Sequence, residues 1–558
     1  MERNRAGIDT AGIDRAGLTR PQTGLAAKAN AWLLFGPAVF LGVFFVWPVS
    51  QLIVRGVGDG GLTAFTDTLT SGPIRSAAWF SFWQAGVSTL LTLVVAAPLT
   101  AVLANFSLRG QHLIRAIVTI PFVLPTIVVA GAFIATSNRL GLVDGPFALR
   151  QSVFAIIVAH VFFNVAVVVR TVSSYWSQLS RTDEHAARVL GQSATTVFFQ
   201  ITLRRLKPSI LAASLLVFFF TFTSFGIVLI LGGARQRTIE TEIFRFAISR
   251  TDFATAAVLS LVQLVAVVGL VVVNQRLRSR LSHADRLGER RRPPRTQRSR
   301  LAAWLIVFST LGLLAIPIAI LIEQSLRTGG SYGLANYLSL GERPPFLTVT
   351  PMRALVNSLA FATVAAFLAT VMGAWASFGI VYGTRRWSRL LDVAYLLPLG
   401  LSAVTLGFGV LITFDESWYD IRQSWVMIPL TQSLIGLPFV TRSMVPVLRA
   451  IDPRLREAAA SLGANPRRIR RDIDLPIARR ALAIGAGFAF AISLGEFGAT
   501  SFVGRRPQFM TVPLAIGRLL TQPGEVIQGQ AMALSVILMI VTTVVLMIVD
   551  RSEGSSVI

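Results

Sequence analysis

The sequence predicts an all-α membrane protein of twelve transmembrane helices, arranged as two homologous six-helix halves. Three observations predict it. Of 558 residues, 53% are hydrophobic and only 14% charged, whereas a soluble protein carries about 25% charged side chains, so much of the surface must face lipid. Apolar runs recur that are long enough, at about 1.5 Å of rise per residue, to cross a hydrocarbon core about 30 Å thick. Finally, residues 180–208 reappear as residues 452–480, at a constant offset of 272.

The apolar runs lie at 31–54, 79–104, 116–136, 153–173, 210–231 and 253–276, then at 301–323, 355–383, 388–414, 424–448, 480–503 and 529–549. They divide the chain into a basic N-terminal segment (1–30), a first transmembrane half (31–276), a linker (277–300), a second transmembrane half (301–550) and a tail (551–558). The run at 31–54 is long and has no small-residue cleavage site behind it, so it reads as a retained anchor rather than a signal peptide. Ten arginines, with Pro293 and Pro294, fill the stretch from Arg276 to Arg300 and make it a solvated connection. With the N-terminus inside, most of the 52 basic residues fall in inner loops, as the positive-inside rule requires. Both termini are therefore expected in the cytoplasm, and the net charge of +25 reports topology rather than nucleic-acid binding. The longest outer segment, 324–353, is shorter than the roughly 50 residues a folded capture domain needs. Any high-affinity capture outside the cell must come from another chain.

Several functions are excluded by what is missing. There is no cysteine, and His112, His160, His185 and His283 have no ligand spacing, so no metal centre is expected. A P-loop needs lysine followed by Ser or Thr, but Lys28 precedes alanine and Lys207 precedes proline. Neither His-Glu-x-x-His nor Gly-x-Ser-x-Gly occurs, so no catalytic residue is assigned. The competing reading is a twelve-helix secondary transporter of the major-facilitator type. The segment from Asn105 to Arg115 lacks that class's Gly-x-x-x-Asp-Arg-type motif, and the internal repeat has no explanation there.

The repeat describes two short helices joined by a tight turn. Ser180 and Asp452 are suited to cap the first helix, with Asp183 completing an S-x-x-D pattern and Pro453 at the first helical position. Gly191 and Gly463 supply the left-handed backbone that ends it, and Ser193 and Asn465 then cap the second helix. Ala186 and Ala187, matched by Ala458 and Ala459, leave a face bare enough to press into a groove, with Arg181, Arg188, Arg454, Arg456, Arg467, Arg468, Arg470 and Arg471 around it for charge-assisted contacts.

The second copy, E-A-A-A-S-L-G followed after nine residues by I-D-L-P (457–476), resembles the EAA loop of binding-protein-dependent ABC importer permeases of the type I fold. It carries Glu457, Gly463 and Pro476 at the defining positions. The first copy departs from the pattern, with His185 where the glutamate belongs and Arg204 in place of the proline. F-S-F-W-Q-A (80–85), A-H-V-F-F-N (159–164) and S-F-G-I-V-L-I-L-G-G (224–233) are similar to fused permeases of the thiamine and ferric-iron uptake class. The resemblance implies a permease of the bacterial inner membrane with no cofactor of its own. It implies two copies of an ATP-binding ATPase subunit below and an extracytoplasmic substrate-binding protein above. Ala186, Ala187, Gly191, Glu457, Ala458, Ala459 and Gly463 would form the ATPase-coupling loops.

Candidates for the translocation pathway are polar residues inside apolar runs. Glu496 stands out, since an acid at that depth faces a bundle interior or a water-filled path; its repeat position is Ser224. Gln84, Asn164 and Gln263 are the other candidates, interhelical hydrogen bonding being the competing use of such side chains. His160 reads as a core histidine and Arg170 as a snorkelling residue at a span end.

Overall fold

The computed structural model describes residues 24–58, 61–233, 235–281, 296–414, 424–504 and 506–554. Most of the N-terminal segment, the centre of the linker and the end of the tail lie outside the described residues. Among the described residues the only strands are Arg327–Thr328 and Ser331–Tyr332, a two-residue antiparallel hairpin in the segment expected to face outward. The rest of the architecture is helical.

Nine described helices are long and apolar enough to span a membrane, or up to eleven when two sharply bent pairs each count as one. The difference from twelve falls at 388–414, which is not one rod but Arg385–Ala394, Leu397–Gly400 and Ala403–Phe414. Its counterpart at 116–136 is broken too. Gln111–Val123 and Thr126–Leu140 meet at 94°, because Pro125 lacks an N–H and drives Leu124 into an extended conformation. The runs at 210–231 and 480–503 also stop short. Ala194–Phe222 ends before Thr223 and restarts as Gly226–Leu231, while Pro466–Gly495 ends at Glu496 and restarts as Thr500–Val503. Four of the expected continuous spans are therefore interrupted.

The halves brace each other. Leu33–Gly58 of the first half packs against Pro351–Tyr382 and Ala403–Phe414 of the second, and Gln297–Leu326 of the second packs against Thr126–Leu140 and Gly72–Asn105 of the first. Small residues make the close crossings: a Cβ added to Gly379 would lie 2.7 Å from the Leu33 carbonyl oxygen. Large apolar side chains such as Trp79, Phe308 and Phe367 remain exposed on the periphery, as a lipid-facing surface requires.

A further departure concerns the connection after Leu231. Alternation of the spans from an inner N-terminus makes it an outer loop, and it folds inward as the helix Ile239–Phe244, with Glu240 and Glu242 buried. Ser81 Oγ accepts the Ile239 N–H at 2.9 Å, and Ser358 Oγ accepts the Val512 N–H at 2.7 Å in the other half. A serine on each half's second span thus anchors the start of a returning helix.

Candidate functional site: two elbows and an axial cavity

Each repeat copy forms the expected elbow. The first elbow opens with Thr182–Val189 and the second with Pro453–Ser461. The glycines that end them have φ of +84° at Gly191 and +81° at Gly463, the region where a Cβ is penalised. Ser193 Oγ then accepts the Thr196 N–H at 3.2 Å and Asn465 Oδ1 accepts the Arg468 N–H at 2.8 Å, starting the second helix in each copy. Asp452 caps its helix through the Arg454 N–H at 3.0 Å. Ser180 instead accepts the Thr182 N–H at 3.2 Å, and its S-x-x-D box does not form. Asp183 is drawn away by Arg205, which donates to it at 2.9 Å.

Ala186 and Ala458 are exposed and Ala187 and Ala459 half-exposed, so the alanine faces stand open, and Glu457 is exposed beside them. The residues before the glycines were not singled out from sequence. Leu190 is 83% exposed and Leu462 89%, at the same repeat position. An apolar side chain this exposed at the tip of a polar hairpin calls for a partner surface.

A clasp holds each elbow to its half. In the second, Arg456 Nε donates to the buried Asp474 carboxylate at 2.9 Å, its Nη2 donates to the Leu448 carbonyl at 2.9 Å, and the Tyr382 hydroxyl donates to Asp474 as well. In the first elbow the matching positions are Glu184 and Thr202, whose hydroxyl donates to the carboxylate at 2.7 Å. A π-helical turn carries both Thr202 and Asp474, over Phe198–Thr202 and Arg470–Asp474. The matched positions are joined in both copies, by a hydroxyl–carboxylate hydrogen bond in the first and by an ion pair in the second.

Where the four broken spans converge there is a cavity of about 330 Å³. Phe163 and Ile435, Phe220 and Ile492, Ser224 and Glu496, Phe225 and Phe497, and Gly226 and Gly498 all line it, and each is a pair related by the offset of 272. Phe225 stacks directly on its own counterpart Phe497, centroids 5.3 Å apart and planes 25° from parallel. A residue can touch its symmetry mate only close to the symmetry axis, so this cavity lies on the pseudo-twofold axis. Pro125 of the first half closes against Gly495 of the second, where a Cβ would lie 2.9 Å from the proline ring.

The sequence candidates divide around this cavity. Glu496 and Asn164 line it, and so does His160, which the sequence reading placed in the core. Gln84 and Gln263 are buried elsewhere: Gln84 Nε2 donates to the Thr221 carbonyl at 3.0 Å, and Gln263 donates to Glu240. Glu496 sits at the helix break and accepts the Ala499 N–H at 2.6 Å, the Thr500 N–H at 2.8 Å and the Thr500 hydroxyl. Its carboxylate thereby caps the short helix Thr500–Val503, whose first N–H groups lack intrahelical partners. Both ring nitrogens of His160, Oδ1 of Asn164 and Oγ of Ser224 are buried without a protein partner. Buried polar atoms are almost always hydrogen-bonded, so four such atoms around one cavity suit water or a polar ligand. Ser402 also lines the cavity and went unnoticed, and Ser224 was noted only as the repeat position of Glu496, because a hydroxyl in an apolar run gives no signal until the breaks are located.

Glu242 accepts from Arg245 at 2.8 Å and lies 3.6 Å from Arg237, so that buried acid is matched by charge. Among the described residues, no group of three or more His, Asp or Glu side chains could hold a metal ion.

The family described as binding-protein-dependent transport system inner membrane component matches residues 94–282 and, a second time, residues 349–552. The thiamine transport system permease protein of Brucella abortus (strain 2308) is 27% identical over 96% of this chain and 97% of its own length. The thiamine transport system permease protein of Salmonella typhimurium (strain LT2) is 27% identical over 80% of this chain and 84% of its own length, and that of Escherichia coli (strain K12) is 24% identical over 86% and 89%. One match in each half accounts for the repeated elbow and for the shared axis, and together the matches cover most of the sequence. The chain belongs to the inner-membrane components of binding-protein-dependent transport systems, as a fused, two-repeat permease of the type I ABC importer fold.

Proposed function

We propose that the protein is the translocation subunit of an ATP-driven thiamine importer, with both termini in the cytoplasm and the two elbows docked into two copies of a separate ATPase subunit. The axial cavity is the waist of its pathway, and an extracytoplasmic binding protein delivers the cargo. The observation that carries this reading is that one chain holds two glycine-ended, alanine-faced elbows in matching places and one cavity on the axis between them. Closure of the ATPases would move the elbows together, and rigid-body tilting of the halves would alternate access to the cavity.

Of the two cargoes implied by the resemblance, thiamine is the one carried in the names of the relatives. The cavity chemistry supports it. Phe163, Phe220, Phe225 and Phe497 give aromatic walls, and His160, Asn164 and Ser224 offer unsatisfied donors and acceptors. Such a lining suits a planar, nitrogen-bearing aromatic cation.

The test is reconstitution of the chain in proteoliposomes with an ATPase and a binding protein from neighbouring reading frames, followed by labelled thiamine uptake. Uptake should require ATP hydrolysis. Import driven by an ion gradient with no ATPase present would favour the major-facilitator reading and sink this one. Glu496→Gln should reduce uptake at least tenfold while leaving assembly with the ATPase intact, because an amide cannot accept all three bonds at the helix break. Unchanged transport in that variant would remove Glu496 from the pathway.

A further inference from the structure

A second cavity, of about 440 Å³, lies between the halves on the elbow side of the axial one. Phe122 separates the two: it lines the second cavity, and its ring packs at 5.2 Å on Phe163 and 5.4 Å on Phe220, both in the wall of the first. The first half supplies a basic and hydroxylic side, with His112, Arg115 and Thr119 on the helix Gln111–Val123 and Arg170 and Ser174 on Val153–Gln178. The second half supplies an apolar side, with Phe488, Leu546, Met547 and Val549. Thr543 Oγ1, on that side, is buried without a protein partner. None of the described lining residues is acidic. Arg170 was expected to snorkel at a span end; in the structure it and Ser174, one turn on, border this crevice in the helix that leads into the first elbow.

Two guanidinium groups with hydroxyls beside them match the charge and fork geometry of a phosphate. An apolar wall directly opposite matches what a phospholipid carries behind its headgroup, and basic pockets between transmembrane helices are suited to anionic headgroups. The geometry points to a phosphate-binding crevice at the seam between the halves, occupied by the headgroup of an anionic phospholipid whose chain lies along Leu546 and Met547. The site is separate from the axial cavity and does not depend on the cargo. Because it bridges two bodies that must move during transport, its occupant stabilises one relative placement of the halves.

The test uses the full-length chain in nanodiscs of phosphatidylcholine alone or with added phosphatidylglycerol, reading the thermal unfolding midpoint and, by native mass spectrometry, the lipid retained after mild delipidation. Phosphatidylglycerol should raise the midpoint and be retained. Arg115→Gln with Arg170→Gln removes two charge-assisted contacts and should weaken retention by at least tenfold, the loss expected from either one alone, and Arg170→Lys should retain more lipid than Arg170→Gln. Arg109→Gln, on the exposed loop just before the same helix, should retain lipid like the parent. If the double variant does not fold, Arg170→Gln alone serves, since that side chain is exposed. Inorganic phosphate added to phosphatidylcholine nanodiscs distinguishes the sources. A midpoint rise abolished by the same substitutions would assign the crevice to soluble phosphate esters, and a lipid effect without it assigns it to phospholipid. Equal retention in parent and double variant with no phosphate effect, or equal loss in Arg109→Gln, would overturn the site.

Discussion

Asp474 has no exposed surface, and its carboxylate is shared between Arg456 and the Tyr382 hydroxyl. Removing one partner of a buried ion pair strands the other, at a cost of about 3–5 kcal/mol. Arg456→Ala should therefore lower the opening free energy of the second elbow by about 3 kcal/mol, read as faster hydrogen exchange over residues 453–474. Glu184→Gln in the first elbow should cost about 1 kcal/mol, since an amide oxygen can still accept from the Thr202 hydroxyl. Equal losses in both elbows would contradict the clasp as described. The exposed Leu190 and Leu462 act outward instead. Leu462→Ser should weaken ATPase binding about tenfold, the share of an apolar side chain buried at an interface, with no change in the thermal midpoint of the isolated permease. The elbow was legible in sequence because caps, alanines and glycines recur at fixed positions. The clasp was not, because Glu184–Thr202 and Arg456–Asp474 reverse the polarity of the pair and so share no residue for a comparison of copies to find.

Among the elements, a single backbone angle decides the elbow. A Cβ on Gly463 would meet nothing within 4 Å, so any effect of substitution comes from φ rather than from crowding. Gly463→Val should cost about 1–2 kcal/mol of conformational strain and lower ATP-dependent uptake and ATPase stimulation with membrane insertion unchanged. Gly463→Asn, which tolerates the left-handed region, should retain most of both. Equal damage from Val and Asn would mean that the glycine serves something other than its angle. The spans were legible as apolar runs, but their interruptions were not, because hydropathy is blind to backbone direction. Proline alone would not have found them: Pro98, Pro208 and Pro317 lie inside unbroken helices, whereas Pro125 marks a 94° bend. The inward turn of Ile239–Phe244 was hidden for a different reason. Its acids look solvated until Gln263 and Arg245 are placed beside them.

For the molecule as a whole, the stacked pair Phe225 and Phe497 reports how the halves stand relative to each other. The chain has no cysteine, so Phe225→Cys with Phe497→Cys gives a clean reporter. Oxidation should link the two halves and stop transport reversibly, and reductant should restore it. A linked protein that still transports would show that these residues do not separate during the cycle. The same axis exposes a consequence of encoding both halves in one gene. A pore assembled from two identical subunits must repeat every side chain on both flanks, but here a carboxylate at Glu496 stands opposite a hydroxyl at Ser224, and the unpaired imidazole of His160 belongs to one flank alone. The two flanks of the axis therefore differ in charge and hydrogen-bonding capacity at this level, so an unsymmetrical molecule lying on the axis has a single preferred rotation about it, where a homodimer would offer two equivalent ones.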